Sequence, residues 1–242
     1  MIDDPVFWLL AITGIVITGI SKSGFAGGAG VVAVPLLSFK MSVLEATAIP
    51  LPLLLIMDAQ TLRYYFRNID WIELRQLVPG AMLGILAGGL LMGTASDKVL
   101  LLGLGLLSII FSLWSRLQGL FSRIKGARFF WSSLSGLSST LVHAGGPPIN
   151  IYFVSRALEK RVWLASAGAF FACMNLAKLV PYSLNGQWSL DLLMLSLMLV
   201  PLAYIGVWLG KRIQGRLNEQ QFMQACRVLL FCTGASLILK VF

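Results

Sequence analysis

The chain has 242 residues, 57% hydrophobic and only 12% charged, with a mean hydropathy of +0.84; a soluble domain carries about 25% charged residues. That balance excludes an ordinary soluble domain and predicts an integral membrane protein, built of helices because the apolar runs approach the roughly 20 residues of one crossing. The net charge of +9 is not a nucleic-acid footprint, since most basic residues sit in short links between apolar runs, where they set orientation.

The N-terminus, Met-Ile-Asp-Asp-Pro, is acidic where a cleavable signal peptide would be basic. The first apolar run, Val6–Ile20, enters the stretch Gly19-Ile-Ser-Lys-Ser-Gly-Phe-Ala-Gly-Gly-Ala-Gly30, which holds five glycines, two serines and a lysine. Each interior glycine costs a helix about 0.5–1 kcal/mol relative to alanine, so the spacing predicts a break here. A short run follows over Val31–Ser38, then Val43–Leu62 with Pro50 and Pro52. The polar link Arg63–Arg75 carries Trp71, a residue type that anchors at the membrane interface. Gln76–Gly93 and Val99–Trp114 come next, separated by the turn Thr94–Lys98. Gly80, Gly84 and Gly88 have the small-x-x-x-small spacing that lets a second helix approach closely.

The basic link Arg116–Arg128 divides the chain, and the second half repeats the order of the first. Phe129–Val142 runs into His143-Ala-Gly-Gly-Pro-Pro148. Ile149–Val154 is the short run after it, and Trp163–Val180, Leu190–Leu209 and Phe222–Leu239 are spans. A single shift of 117 residues pairs Gly19 with Gly136, Ser21 with Ser138, Gly28 with Gly145, Tyr65 with Tyr182, Asn68 with Asn185, Trp71 with Trp188, Gly89 with Gly206 and Gly93 with Gly210. We read an internal duplication: a first repeat over 1–115, a basic cytoplasmic linker over 116–128 and a second repeat over 129–242.

The basic residues of all four links fall on one face if each half holds a glycine-tipped hairpin returning to its own side, fully crossing or re-entrant, plus three full crossings. Three is odd, so the second repeat is expected to be inverted relative to the first, with eight to ten hydrophobic segments in all. Asp3, Asp4, Lys40, Asp97, Lys98 and both termini then lie on the non-cytoplasmic side of a bacterial inner membrane.

Inverted hairpins bring both glycine-rich tips toward the membrane midplane, where irregular backbone survives only inside protein or beside a cavity. A helix starting after each tip offers free N–H groups and a positive dipole end. Lys22 adds a cation to the first tip and His143 a titratable donor to the second. The binding candidates are Lys22, His143 and the backbone at Gly27, Gly28, Gly145 and Gly146, followed by Ser21, Ser138 and Asn150; together they suit a small oxyanion. Each also has a plainer reading: packing glycines, a snorkelling lysine, a structural histidine. Asp58 lies inside the third apolar run and aligns with Asn175, with Lys178 one helical turn further on. Charges at that depth are functional or paired, so Asp58, Asn175 and Lys178 are candidates for coupling or gating, or else for a structural ion pair.

One histidine and three cysteines, Cys173, Cys226 and Cys232, without ligand spacing argue for no metal site, no cofactor and no Ser-His-Asp set. Coupling to a proton or sodium is the one requirement beyond the substrate. The expected partners are a small anion and membrane lipid, with no nucleic acid; an oligomeric state is not readable.

At these residues the chain resembles the TauE/SafE family of membrane permeases. The resemblance rests on Gly24-Phe-Ala-Gly-Gly-Ala-Gly30 leading to Val34-Pro-Leu-Leu37, on Ala144-Gly-Gly-Pro-Pro-Ile-Asn150, and on Phe170-Phe-Ala-Cys-Met-Asn-Leu-Ala-Lys-Leu179. It covers nearly the whole chain. It implies movement of sulfite, a sulfonate or a related sulfur compound, and His143-Ala stands where the family pattern is more glycine-rich. The reading is therefore an all-α secondary transporter working by alternating access between two glycine-rich breaks. A channel-like facilitator, a non-transporting scaffold and a membrane enzyme are the rivals.

Overall fold

Backbone amides inside a bilayer must be paired within the protein, which leaves helices as the economical answer for a chain of this pattern. A computed structural model describes residues 4–24, 32–113, 128–156, 158–213 and 219–242. Its helices are α1 (Pro5–Gly24), α2 (Ala33–Leu37), α3 (Val43–Ala48), α4 (Pro50–Tyr65), α5 (Trp71–Thr94), α6 (Asp97–Ser112), α7 (Arg128–Val142), α8 (Gly146–Ser155), α9 (Lys160–Leu184), α10 (Leu190–Ile213) and α11 (Glu219–Leu239), with a 3-10 turn at Phe66–Asn68. Among the described residues, the segments Pro5–Ser23, Val43–Asn68, Trp71–Thr94, Arg161–Leu184 and Leu190–Arg212 are long and apolar enough to cross a membrane. The protein is an all-α, multi-pass integral membrane protein.

Three boundaries depart from the sequence expectation, each for a local reason. α5 starts at Trp71, inside the expected polar link, because the Asp70 carboxylate accepts from the amides of Ile72 (3.1 Å) and Glu73 (3.0 Å) and caps the helix there. The apolar run from Val43 keeps helical angles through Ile49 (φ −58°, ψ −48°), and α4 begins at Pro50, which has no N–H for the ladder of α3. Its counterpart α9 is unbroken, with Ala167 and Ala169 where a shift of 117 places Pro50 and Pro52. The first break comes later than the glycine spacing predicts, since α1 runs through Gly19 to Gly24.

Gly19 and Gly136 are packing glycines, not the start of the breaks. A Cβ on Gly19 would lie 2.8 Å from the Cα of Gly206, and one on Gly136 would lie 2.2 Å from the carbonyl oxygen of Ala81. These contacts belong to two broad interfaces, α1 on α10 and α5 on α7. The second is lined as its spacing predicts: Cβ atoms on Gly80, Gly84 and Gly88 would fall 2.2 Å from Ser132 Oγ, 2.0 Å from the Ser133 carbonyl and 2.7 Å from Thr140 Cβ. α6 packs on α11 where Gly105 meets Gly234, and α4 packs on α9 at the centre. Shifting by 117 residues turns α1 into α7 and α5 into α10, so it maps the first interface onto the second.

Charged groups separate by end. Asp4 and Lys40 pair at 2.7 Å, and the Lys240 ammonium donates to the carbonyl of Phe39 at 3.4 Å. Lys40 holds the Asp4 carboxyl below the usual carboxylate range through its hydrogen bond. Elsewhere Lys211 sits 3.3 Å from the centroid of the Tyr64 ring, and Arg128 donates to Gln76. Leu86, Leu90 and Leu197 are exposed between these ends, an apolar surface suited to lipid rather than water.

Candidate functional site

The second break is built by hydroxyls and one strained residue. α7 stops at Val142, and His143 adopts φ 55°, a left-handed conformation that costs a non-glycine residue roughly 1–2 kcal/mol. Ser135 Oγ donates to the Gly145 carbonyl at 2.7 Å, and Ser138 Oγ lies 3.0 Å from the Ala144 carbonyl. Ser135 thus pairs a carbonyl at the break, while the single hydrogen of Ser138 is shared among the carbonyls of Leu134 (2.8 Å), Ser135 (3.3 Å) and Ala144, all of them backbone. α8 opens at Gly146, but Pro147 and Pro148 have no N–H and Ile149 N–H bonds to Gly145 O at 3.4 Å. The expected cradle of free amides at this helix start is thus reduced to that of Gly146.

His143 is held at both ring nitrogens. Nε2 lies 2.8 Å from the carbonyl of Thr47, and Nδ1 lies 2.8 Å from Lys178 Nζ. A carbonyl only accepts, so Nε2 carries the hydrogen and Nδ1 accepts from the lysine. Thr47 stands in the last turn of α3. Lys178 Nζ also reaches the Ser139 carbonyl at 3.2 Å and Ser139 Oγ at 3.0 Å. Its side chain is fully buried.

A second set joins the two halves at Asp58. Lys22 at the end of α1 is paired with Asp58 Oδ1 and donates to the Leu54 carbonyl at 3.2 Å. The other oxygen, Oδ2, accepts from Asn175 Nδ2 at 2.6 Å. Side-chain exposure is 8% for Lys22 and 3% for Asp58, so this is a pair inside the protein, and Lys22 does not snorkel to a surface. Asp58 takes Lys22, not Lys178, as its ion-pair partner.

Both sets line one cavity of about 20 Å³, walled by Thr18, Lys22, Leu54, Ser139, His143, Gly146, Phe171, Asn175 and Lys178. That volume suits about one water molecule. The structure therefore brings together Lys22, His143, Gly146, Asn175 and Lys178, with Asp58 directly behind. Gly145 sits under the turn, where a Cβ would meet Ser135 Oγ at 2.9 Å. Ser21 and Asn150 are outside the wall; the Asn150 Oδ1 atom is buried without a hydrogen-bond partner. Gly27 and Gly28 lie outside the described residues. Sequence reasoning overlooked Thr18, Leu54 and Phe171. Thr18 is one helical turn before Lys22 on the same face, a signal that could have found it.

A further buried carboxylate also escaped it. Glu73 in α5 accepts from the Tyr152 hydroxyl and from Arg156 Nη2 at 3.2 Å, tying the far end of α8 to α5.

A family model described as "Sulfite exporter TauE/SafE" matches residues 10–237. No curated protein and no solved structure matches the chain.

Proposed function

From the premise that the chain belongs to the sulfite exporter TauE/SafE family, a family of membrane transporters, we propose that it carries a small sulfur oxyanion, sulfite or a sulfonate, across a bacterial inner membrane. The single observation that carries this reading is the wall of the cavity. Two lysines from opposite halves of the chain line it, Asn175, Ser139 and Gly146 add donors, and among the described residues no carboxylate takes part in the lining. Donors without carboxylates recognise an anion with several acceptor oxygens.

The cavity is too small for such an anion, so this conformation is closed around the site. Opening requires the halves to rock about the contact between α4 and α9, which favours alternating access by two inverted repeats. On entry the anion meets Lys22 while Lys22 keeps its pair with Asp58. Asp58, Asn175 and Lys178 then gate the site, and proton or sodium gradients supply the drive. The basic links face the cytoplasm and both termini face away from it.

Thermal stabilisation of the purified protein against sulfite, sulfate, thiosulfate, sulfoacetate, taurine and acetate tests the reading, followed by flux in proteoliposomes. A shift with a sulfur oxyanion and gradient-driven flux are expected. No shift with any anion and no flux would defeat it. Flux indifferent to proton and sodium gradients would convert the reading to a facilitator.

A further inference from the structure

The side chains around the cavity do not balance in charge. Asp58 has both oxygens engaged, Oδ1 by Lys22 and Oδ2 by Asn175, so one carboxylate offsets one lysine. Lys178 is different. Its three acceptors, the Ser139 carbonyl, Ser139 Oγ and His143 Nδ1, lie at 3.2, 3.0 and 2.8 Å, and all are uncharged. Three polar neighbours around one nitrogen fit the three N–H bonds of an ammonium, or two N–H bonds and a lone pair that accepts from Ser139 Oγ–H; we take the ammonium. The histidine cannot supply the missing negative charge, because its Nε2–H is committed to Thr47.

Among the described residues no other carboxylate lines the cavity. Glu45 is spent on the cap of α3, bonding Ser42 at 2.9 and 2.8 Å, and Glu73 on Tyr152 and Arg156. With Lys178 protonated, two ammonium groups share one carboxylate among the described residues of this buried site, and an unbalanced charge inside a membrane protein is costly.

We infer that this site is matched to a singly charged anion and that Asp58 sets the valence, by cancelling one of the two lysines, Lys22 and Lys178, that line the cavity. The inference rests on the anion-transport reading above and deepens it. One negative charge completes the balance. A doubly charged oxyanion overshoots it by one charge, and so binds less well although its oxygens are alike. Asp58 acts here as a positioning residue, holding Lys22 and fixing the site's charge without lining the cavity.

The test uses the full chain in detergent, at constant pH and ionic strength, with methanesulfonate as the singly charged probe and sulfate as the doubly charged one. Wild type is expected to prefer methanesulfonate. Asp58→Asn removes one negative charge and raises the sulfate-to-methanesulfonate affinity ratio by about tenfold or more, the scale of a one-charge change at an effective dielectric near 20. Lys178→Gln removes one positive charge and lowers the ratio. The double variant restores the wild-type ratio. A merely structural Asp58 would weaken both anions alike, and an unchanged ratio in folded Asp58→Asn overturns the inference while leaving anion transport intact. If that variant does not fold, an unchanged ratio in Lys178→Gln overturns it equally. Failure of wild type to bind either anion overturns this inference, and the transport reading falls only if the wider anion panel and the flux assay fail as well.

Discussion

Asp58 and Asn175 are 117 residues apart in the chain and hydrogen-bonded to each other at 2.6 Å. The same interval relates the two halves of the sequence. The bond therefore joins corresponding positions of the two halves of the sequence, with the site's carboxylate on one side and an amide on the other.

This geometry predicts a rescue. Asp58→Asn leaves the Lys22 ammonium buried without its carboxylate, at a cost of about 3–5 kcal/mol. Adding Asn175→Asp puts a carboxylate back within a few ångströms. Thermal melts in detergent should show the double variant recovering a substantial part of the loss. Equal melting points for single and double variants would refute the pairing of the two positions.

The α5–α7 interface predicts a contrast between glycines. Gly84→Ala drives a methyl into the Ser133 carbonyl, whose oxygen would lie 2.0 Å away, and should cost about 1–3 kcal/mol by overpacking. Gly103→Ala meets nothing within 4 Å and should stabilise α6 by up to about 1 kcal/mol. Urea or thermal denaturation of the two variants checks the order.

His143 combines strain with chemistry. His143→Gly relieves the positive φ but removes both hydrogen-bonding nitrogens; His143→Ala removes them and keeps the strain. The glycine variant should be more stable than the alanine variant by about 1 kcal/mol. Both should lose anion affinity, read by the thermal shift that the ligand produces. Affinity surviving in the glycine variant would leave His143 a purely structural role.

Topology can be read directly. Asp4, Lys40 and Lys240 gather at one end of the molecule, and the basic links predict that this end faces away from the cytoplasm. An alkaline phosphatase fused after Phe242 should be active, and a fluorescent protein at the same place dark. The reverse pattern would overturn the orientation.

The membrane class, the order of the spans and the glycine seam of α5 were legible because each depends on local pattern. Apolar run length gives a crossing, and small residues at every fourth position give a close helix contact. The site was legible in part: Lys22, Asp58, Asn175 and Lys178 stand out as polar groups in apolar runs. Their pairing was not. Only tertiary packing decides that Lys22 reaches Asp58 while Lys178 turns to His143. The role of Gly19 was misread for a related reason. A glycine that breaks a helix and a glycine that admits a neighbouring backbone look the same until Gly206 is placed beside it. The N-cap at Asp70 is a local signal, and attention to it would have moved the start of α5 to Trp71.

Pro50 has a consequence for the backbone beside the site. Ile49 keeps helical angles (φ −58°, ψ −48°), so Val43–Asn68 crosses as one segment, but Pro50 lacks the N–H that Ala167 supplies at the corresponding place in α9. The missing donor lies within one turn of Thr47, whose carbonyl holds His143. Pro50→Ala returns that donor and should raise the melting point in detergent without altering which anion the closed site prefers.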